Sequence, residues 1–455
     1  MGHLKHLKAE HEHLVDRLNL GTVGLPEPES EHARKGWQEL IAILFTPEQA
    51  ELAVHLPVIP AGLSTIAKRA GLSESDCEAR LEAMANKGLV MDLVHPKSGK
   101  TKYLLAPPVI GFFEFSLMRA SDDLANHLPQ QEVSEAMEAY IHGDPTFARE
   151  AFGKTTMLGR ALLDEHYMQE EDLPDVLDWE RCNSIIEEAE SLAVSFCYCR
   201  HKKEHLGTAC DAPMEVCLSM NGGADFVLRR KFGRPIDKQE ALNIIATSRQ
   251  KGLVQIADNV QDRPSYICNC CGCCCGQLSA INEYGLNAVT PSGFQPTIQM
   301  DHCKGCSRCA RACPIGAIEM TPRREQGQRK NRMIPELNTH RCIGCGLCAQ
   351  ACKPQKGLQA LNMARLSSPP QIPRNSVEKA LRQALERGRL PHLLIDQGKG
   401  RGFRFLNKAL QILTALPPVE KALANQQLQS RFVNYFLQRK VKGFRPKGGS
   451  TSAEH

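Results

Sequence analysis

Apolar positions recur at three- and four-residue spacing over residues 37–45 and 47–55, which predicts two helices after a polar, Pro-containing lead at residues 1–35. The pattern then predicts a short helix Leu63–Ala70, a turn at Gly71-Leu72 and a longer helix over 73–87. Ser73 caps that helix, with Asp76 three residues on. Apolar and polar residues next alternate over 89–94 and Thr101–Leu105, a hairpin around Pro96-Lys97-Ser98-Gly99. Helical spacing returns at 134–141, 182–193 and 235–252, the last passing into a strand over 253–256. Short strand-like runs follow at 297–300, 317–320, 333–337 and 358–363. The chain closes on helical patterns at 377–387, 403–415 and 419–439, with a strand-like run at 393–396 leading into Gly398-Lys399-Gly400-Arg401-Gly402. That Gly-rich turn lacks a dinucleotide fingerprint, and its lysine is misplaced for a P-loop, so it reads as a connector.

With 455 residues the chain is too long for a single core. The expected fold class is α+β and multidomain. A lead (1–35) precedes a winged-helix-like domain (36–106) and a helical connector (107–192). A cysteine-rich, mainly helical domain (193–290), a domain built on a duplicated cysteine motif (291–365) and a basic helical tail (366–455) follow. Net charge is +5, yet residues 375–455 hold 15 Lys or Arg against 5 Asp or Glu, so a basic tail follows a mildly acidic body. Such a patch suits an acidic protein surface, nucleic acid, anionic lipid or plain solvation. The chain has twenty cysteines and no apolar signal region at its charged, His-rich start, which argues against a secreted disulfide scaffold and for a reducing, cytoplasmic setting. No apolar run approaches the roughly 20 residues of a transmembrane helix.

Cys303-x2-Cys306-x2-Cys309-x3-Cys313-Pro314 recurs 39 residues later as Cys342-x2-Cys345-x2-Cys348-x3-Cys352. Three thiolates at two-residue intervals wrap one cubane, and the fourth, carried on a helical turn, points to the other. One 4Fe-4S cluster is therefore assigned to Cys303, Cys306, Cys309 and Cys352, the second to Cys342, Cys345, Cys348 and Cys313. Structural zinc usually takes two CxxC pairs set apart rather than a run of four. Residues 291–365 resemble the bacterial two-cluster ferredoxin family. The resemblance implies a pseudo-symmetric pair of hairpins with short helices, and one-electron transfer at low potential. The second copy departs from it where Lys353 intervenes before Pro354, leaving all eight ligands present.

Ten further cysteines lie between 197 and 275: Cys197, Cys199, Cys210, Cys217, Cys268, Cys270, Cys271, Cys273, Cys274 and Cys275. Exposed thiolates oxidise, so a reducing chain keeps such density for metal or redox chemistry. Adjacent cysteines on a strand face opposite ways, so not all can ligate one ion from a regular element, while Gly272 and Gly276 allow the chain to fold back. At least one further iron-sulfur cluster is expected from some subset, with zinc as the alternative. Arg200, His201, Lys202 and Lys203 are candidates to supply charge or hydrogen bonds to sulfur. The triplets Cys270-Cys271-Gly272 and Cys274-Cys275-Gly276 resemble the cysteine-rich motif of heterodisulfide-reductase-type subunits, but the long spacers of that family are absent and no active site carries over. The Cys197-to-Arg200 box, Cys210-Asp211-Ala212-Pro213 and the Cys268-to-Cys275 box ahead of a two-cluster ferredoxin together resemble a family of 4Fe-4S proteins of anaerobic energy metabolism.

Residues 63–105 resemble a winged helix-turn-helix. On its second helix Glu74, Asp76, Glu78 and Glu82 oppose only Arg80 and Lys87, the wrong sign for a major groove; the basic residues His95, Lys97, Lys100 and Lys102 sit in the wing. A docking role is the expectation, and nucleic acid is disfavoured as a partner. Cys77 reads as a buried small residue, and His3, His6, His11 and His13 as a solvated terminus. The expected function is passage of single electrons between redox partner proteins, a flavoprotein or a membrane-associated complex docking on the basic tail among them. The alternatives are a redox-sensing DNA-binding regulator and a reductase subunit with its substrate at the cysteine-rich cluster.

Overall fold

Seven short strands form one sheet in the computed structural model, which describes residues 7–95, 97–119, 128–163, 180–323, 332–353 and 359–395. Their spatial order is Arg234–Pro235, Leu192–Phe196, Glu215–Met220, Tyr266–Cys270, Val254–Asp258, Gly159–Ala161 and Val289–Thr290. Neighbours run antiparallel except the last pair, which is parallel. On one face Ile185 and Ile186 of Cys182–Glu188 and Ala241 and Ile245 of Lys238–Gln250 pack on Val194, Leu218 and Ile267. Phe115, Phe226 and Phe232 pack together against Ala193 of the sheet.

The sheet corrects the expectation of a mainly helical cysteine-rich domain. Its strands carry polar residues inside, which breaks the apolar pattern by which strands are recognised. Gln255 and Asn269 are buried and hydrogen-bond to each other at 3.0 Å, and Asn269 donates to the Val216 carbonyl at 2.8 Å. The helix expected over 182–193 likewise ends at Glu188, and the chain re-enters the sheet at Leu192.

In the amino-terminal half, Glu31–Leu44, Pro47–Val54, Leu63–Ala70 and Glu74–Asn86 are helices, and Val90–Val94 pairs antiparallel with Thr101–Leu105. Ser73 Oγ accepts the Asp76 N–H at 3.1 Å, as its capping role requires. A helix not expected, Ala9–Leu18, lies in the lead; Leu14, Val15 and Leu18 are buried beneath it. His11 is therefore no solvated terminus, since its Nε2 lies 2.8 Å from the Phe45 carbonyl in the interior. His13 is exposed, and His3 and His6 lie outside the described residues. Cys77 is buried as expected.

The acidic helix Glu74–Asn86 is not left to solvent. Arg230 of the cysteine-rich region pairs with both carboxylate oxygens of Glu82 at 2.6 and 2.9 Å and reaches Asn86 at 3.0 Å. Asp92 on the hairpin accepts from Arg229 at 2.7 Å and Arg230 at 3.1 Å. One continuous core runs from Leu14 through Ile281 to Ile343 and joins these segments.

Farther along, Phe294–Ile298 pairs with Leu361–Arg365 and Ile318–Arg323 with Arg332–Leu337, both antiparallel. The short helices Arg308–Ala312 and Leu347–Ala351 occupy equivalent places between them. The helix expected over 377–387 is Ser376–Glu386, capped by Asn375. The strand-like run at 393–396 is instead the end of a helix, Leu390–Ile395. The helices expected at 403–415 and 419–439, the Gly-rich turn 398–402, Pro96 and Pro354 lie outside the described residues. No described helix is long and apolar enough to cross a membrane.

Candidate metal centres

The two CxxCxxC loops are built alike down to the backbone. Gly305 and Gly344 precede the second cysteine with φ of 68° in each, and Ser307 and Gly346 follow it at φ of 59° and 80°. These left-handed turns wind the chain tightly around its own sulfurs. The Gly305 N–H points to Cys303 Sγ at 3.4 Å and the Gly344 N–H to Cys342 Sγ at 3.4 Å, while the Ala317 N–H reaches Cys313 Sγ at 3.1 Å. Neither glycine has room for a side chain: a Cβ at Gly305 would meet the Met333 carbonyl at 2.3 Å and one at Gly344 the Phe294 carbonyl at 2.2 Å.

The eight thiols line two separate cavities. One, of about 210 Å³, gathers Cys303, Cys306, Cys309 and Cys352; a second, tighter one gathers Cys313, Cys342, Cys345 and Cys348. Each thus combines three cysteines of one copy with the last of the other. Burial pushes the Cys309, Cys342 and Cys348 thiols up, and that of Cys345 to about 12, so holding them as thiolates needs a compensating cation. Donor type and N–H···S contacts fit two iron-sulfur clusters. Cys306 is exposed, and the exposed Lys304, Arg308 and Lys353 rim the first cavity.

The ten cysteines of the 197–275 region divide into two groups. Cys210, Cys271, Cys273 and Cys274 bring their sulfurs within 4.8 Å of one another. The Cys210–Cys271, Cys273–Cys274 and Cys274–Cys210 separations are 3.6, 3.7 and 3.9 Å. A regular tetrahedron with metal–sulfur bonds of about 2.3 Å has edges of about 3.8 Å. Among the described residues this is the one group of three or more candidate ligands that meets so closely, and the eight thiols of the CxxCxxC loops do not. The four thiols therefore fit one tetrahedral ion rather than a cubane.

Arg200 stands over this site. It is fully buried, donates Nη1 to the Pro213 carbonyl and holds Nη2 3.5 Å from Cys271 Sγ. Burial works against its charge, yet the surrounding thiols of Cys197, Cys210 and Cys271 hold it protonated above its ordinary range. Its charge offsets part of the −2 that four thiolates and a divalent ion leave. The other basic residues of the segment have different work. His201 Nδ1 lies 2.8 Å from the Leu117 carbonyl, and Lys202 and Lys203 both bind Glu138, so of the four candidates only Arg200 contacts sulfur through a hydrogen bond described here.

Glu138 ties the helix Tyr198–His205 to Gln130–His142. Burial works against its charge, but Lys202 and Lys203 outweigh it and bring the carboxyl from an ordinary 4.5 down to about 2. A depressed carboxyl contributes stability that is present above its unfolded value and disappears as pH falls through the folded one. Between pH 4.5 and 2 the wild type should therefore lose no more than about 3 kcal/mol that Glu138→Gln has already lost at neutral pH. Acid titration of both proteins by circular dichroism checks this; parallel curves in that window would contradict it.

The remaining six thiols, Cys197, Cys199, Cys217, Cys268, Cys270 and Cys275, lie outside that group. All six line a cavity of about 270 Å³ together with Cys271 and with Glu114, whose carboxyl burial pushes up to about 8. Strand alternation explains the division. Cys268 and Cys270 face one side of Tyr266–Cys270, and the next residue, Cys271, turns to the tetrahedral site; Cys274 and Cys275 divide the same way.

The loop carrying Cys271 and Cys273 also touches the CxxCxxC module. A Cβ at Gly272 would lie 2.4 Å from the carbonyl oxygen of Pro314, the residue after Cys313. Asn282 donates to that same oxygen at 3.0 Å and accepts from Arg341 at 2.9 Å. Sequence reasoning missed Glu114, Glu138 and this junction. Their partners are remote along the chain, and no local pattern signals them.

Neither a curated protein nor a solved structure matches the chain. Residues 302–355 match the 4Fe-4S dicluster domain family, so this stretch, with its two crossed sets of thiols, is a dicluster domain that implies two 4Fe-4S clusters and electron transfer.

Proposed function

We propose that the protein is an electron-transfer component of an oxidoreductase system, carrying single electrons between an outside redox partner and its own cysteine-rich interior. The observation that carries this reading is the junction at which the Pro314 carbonyl, next to Cys313, abuts Gly272 between Cys271 and Cys273. Cys303, Cys306, Cys309 and Cys352 would hold one 4Fe-4S cluster and Cys313, Cys342, Cys345 and Cys348 the other. Bound there, such clusters supply one-electron chemistry. The chain's own part is geometric. Exposed Cys306 places the first set at the surface, and the basic rim of Lys304, Arg308 and Lys353 suits a partner with an acidic face. The second set faces inward, packed against the main core through Cys313, Cys342 and Cys345.

Cys210, Cys271, Cys273 and Cys274 would hold one tetrahedral ion, zinc by ligand type, which braces the loop at the junction. The amino-terminal helices and hairpin, winged-helix-like in their order, serve as a docking scaffold; Glu82 and Asp92 spend their charge on Arg229 and Arg230.

Anaerobic reduction with dithionite, followed by electron paramagnetic resonance, tests the reading. Two interacting signals of reduced 4Fe-4S clusters are expected, and Cys303→Ser and Cys342→Ser should each remove about four irons and one signal. A chain that binds no iron, or an iron signal indifferent to both changes, would reject it. Gly272→Val should leave dicluster iron in place while forcing the two modules apart. The overpacking penalty is about 1–3 kcal/mol, to be read from thermal unfolding.

A further inference from the structure

We propose that the six-thiol cavity, which Cys271 of the tetrahedral site also borders, is a second metal centre and takes a polynuclear iron-sulfur cluster ligated by at least four of Cys197, Cys199, Cys217, Cys268, Cys270 and Cys275. Convergence is the first ground. Four segments supply these side chains: the turn into Tyr198–His205, the strand Glu215–Met220, the strand Tyr266–Cys270 and the start of Gly276–Tyr284. All of them border one cavity of about 270 Å³, many times the space of a single water.

Arrangement is the second ground. Among the described residues no three of these six sulfurs come within 4.8 Å of each other. A single ion needs ligands gathered at tetrahedral edges of about 3.8 Å, so it cannot collect four of them without rearrangement. A cluster spreads its outer ligands over several metal atoms and accepts the wider spacing. The eight dicluster thiols, which line their cavities without such close grouping, set the precedent inside the same molecule.

Setting is the third ground. Phe115, Phe226, Tyr198 and Tyr266 line part of the cavity beside the titratable Glu114, Asp258 and Lys379, a mix of apolar and polar groups of the kind that tunes a cluster's potential. Cys270 and Cys275 border the loop that meets Pro314, so the cavity adjoins the junction with the dicluster domain.

The inference rests on the electron-transfer reading for its redox role, and its test separates the two. The full-length protein is reconstituted anaerobically with ferrous iron, sulfide and zinc, and all three are counted per chain. About 12 irons and one zinc are expected, and Cys199→Ser/Cys217→Ser/Cys268→Ser, which leaves three of the six thiols, should retain about eight irons and the zinc while losing the matching sulfide. None of these three positions adjoins a tetrahedral-site cysteine in sequence. Eight irons in the wild type, unchanged in the variant, would overturn the proposal; if the variant does not fold, the wild-type count alone decides. Failure of the dicluster reading looks different: Cys303→Ser and Cys342→Ser would leave the iron count untouched.

Discussion

Cys210→Ser should release one tetrahedral ion per chain while leaving the iron of the dicluster domain in place. Cys210 contributes the one thiol of that site from outside the Cys271-to-Cys274 loop, so its loss opens the tetrahedron and unties the loop from the 210 segment. Structural zinc sites bind with apparent free energies of about 10–16 kcal/mol, and binding energy at a site absent from the unfolded chain is folding energy. That is comparable to the whole stability margin of an ordinary domain, about 5–15 kcal/mol. Arg200 then faces thiols that have lost their cation, and its neighbour Pro213 lies on the same freed segment. Zinc analysis and thermal unfolding read the effect: bound zinc falls from one to near zero and the melting transition drops sharply. Loss of about four irons instead would mean that these thiols hold a cubane, against the 3.6 to 3.9 Å sulfur separations.

Arg230→Met is the next largest. Asp92, whose side chain is 3% exposed, lies between Arg229 and Arg230. Burial works against its charge, but the two guanidinium groups hold the carboxyl below its ordinary value. Arg230→Met leaves the buried carboxylate with Arg229 alone, so the cost lies below the roughly 3–5 kcal/mol of a buried charge with no partner at all. The Glu82 contact adds little, because that carboxylate is 44% exposed. Arg230→Met should therefore destabilise the docking of the amino-terminal module, and the double variant with Asp92→Asn should recover part of the loss, since the buried carboxylate is then gone and the half-buried Arg229 still reaches solvent. Denaturant unfolding of the three proteins gives the coupling; a loss under about 1 kcal/mol would show that the apolar core alone holds the module.

Both predictions concern positions whose meaning differs in visibility. The Cys303 and Cys342 motifs were legible because every spacing that matters lies within eleven residues, a range over which chain geometry alone decides which sulfurs can meet. The hairpin and two helices at 63–105 were legible for the same reason: capping by Ser73 and alternation in the strands are local. Of the sheet, the strand over 253–256 was legible and is found as Val254–Asp258, whereas Tyr266–Cys270 was not, because buried Asn269 interrupts its apolar run and is satisfied by partners on other strands. The helix Ala9–Leu18 was missed because its polar residues outnumber the few apolar ones that reach the core.

By itself, then, the chain determined that iron-sulfur chemistry is present, how many thiols serve it in the dicluster domain, and that ten more cysteines must hold something. Only the tertiary structure decided how those ten divide. Adjacent cysteines on an extended chain point apart, so Cys270 and Cys271, and Cys274 and Cys275, turn to different sites, and which site receives which thiol depends on what packs against each face. The same holds for the junction at Pro314 and the clamp on Asp92. Contacts between residues far apart in sequence follow from the packing of whole elements, which no local spacing encodes.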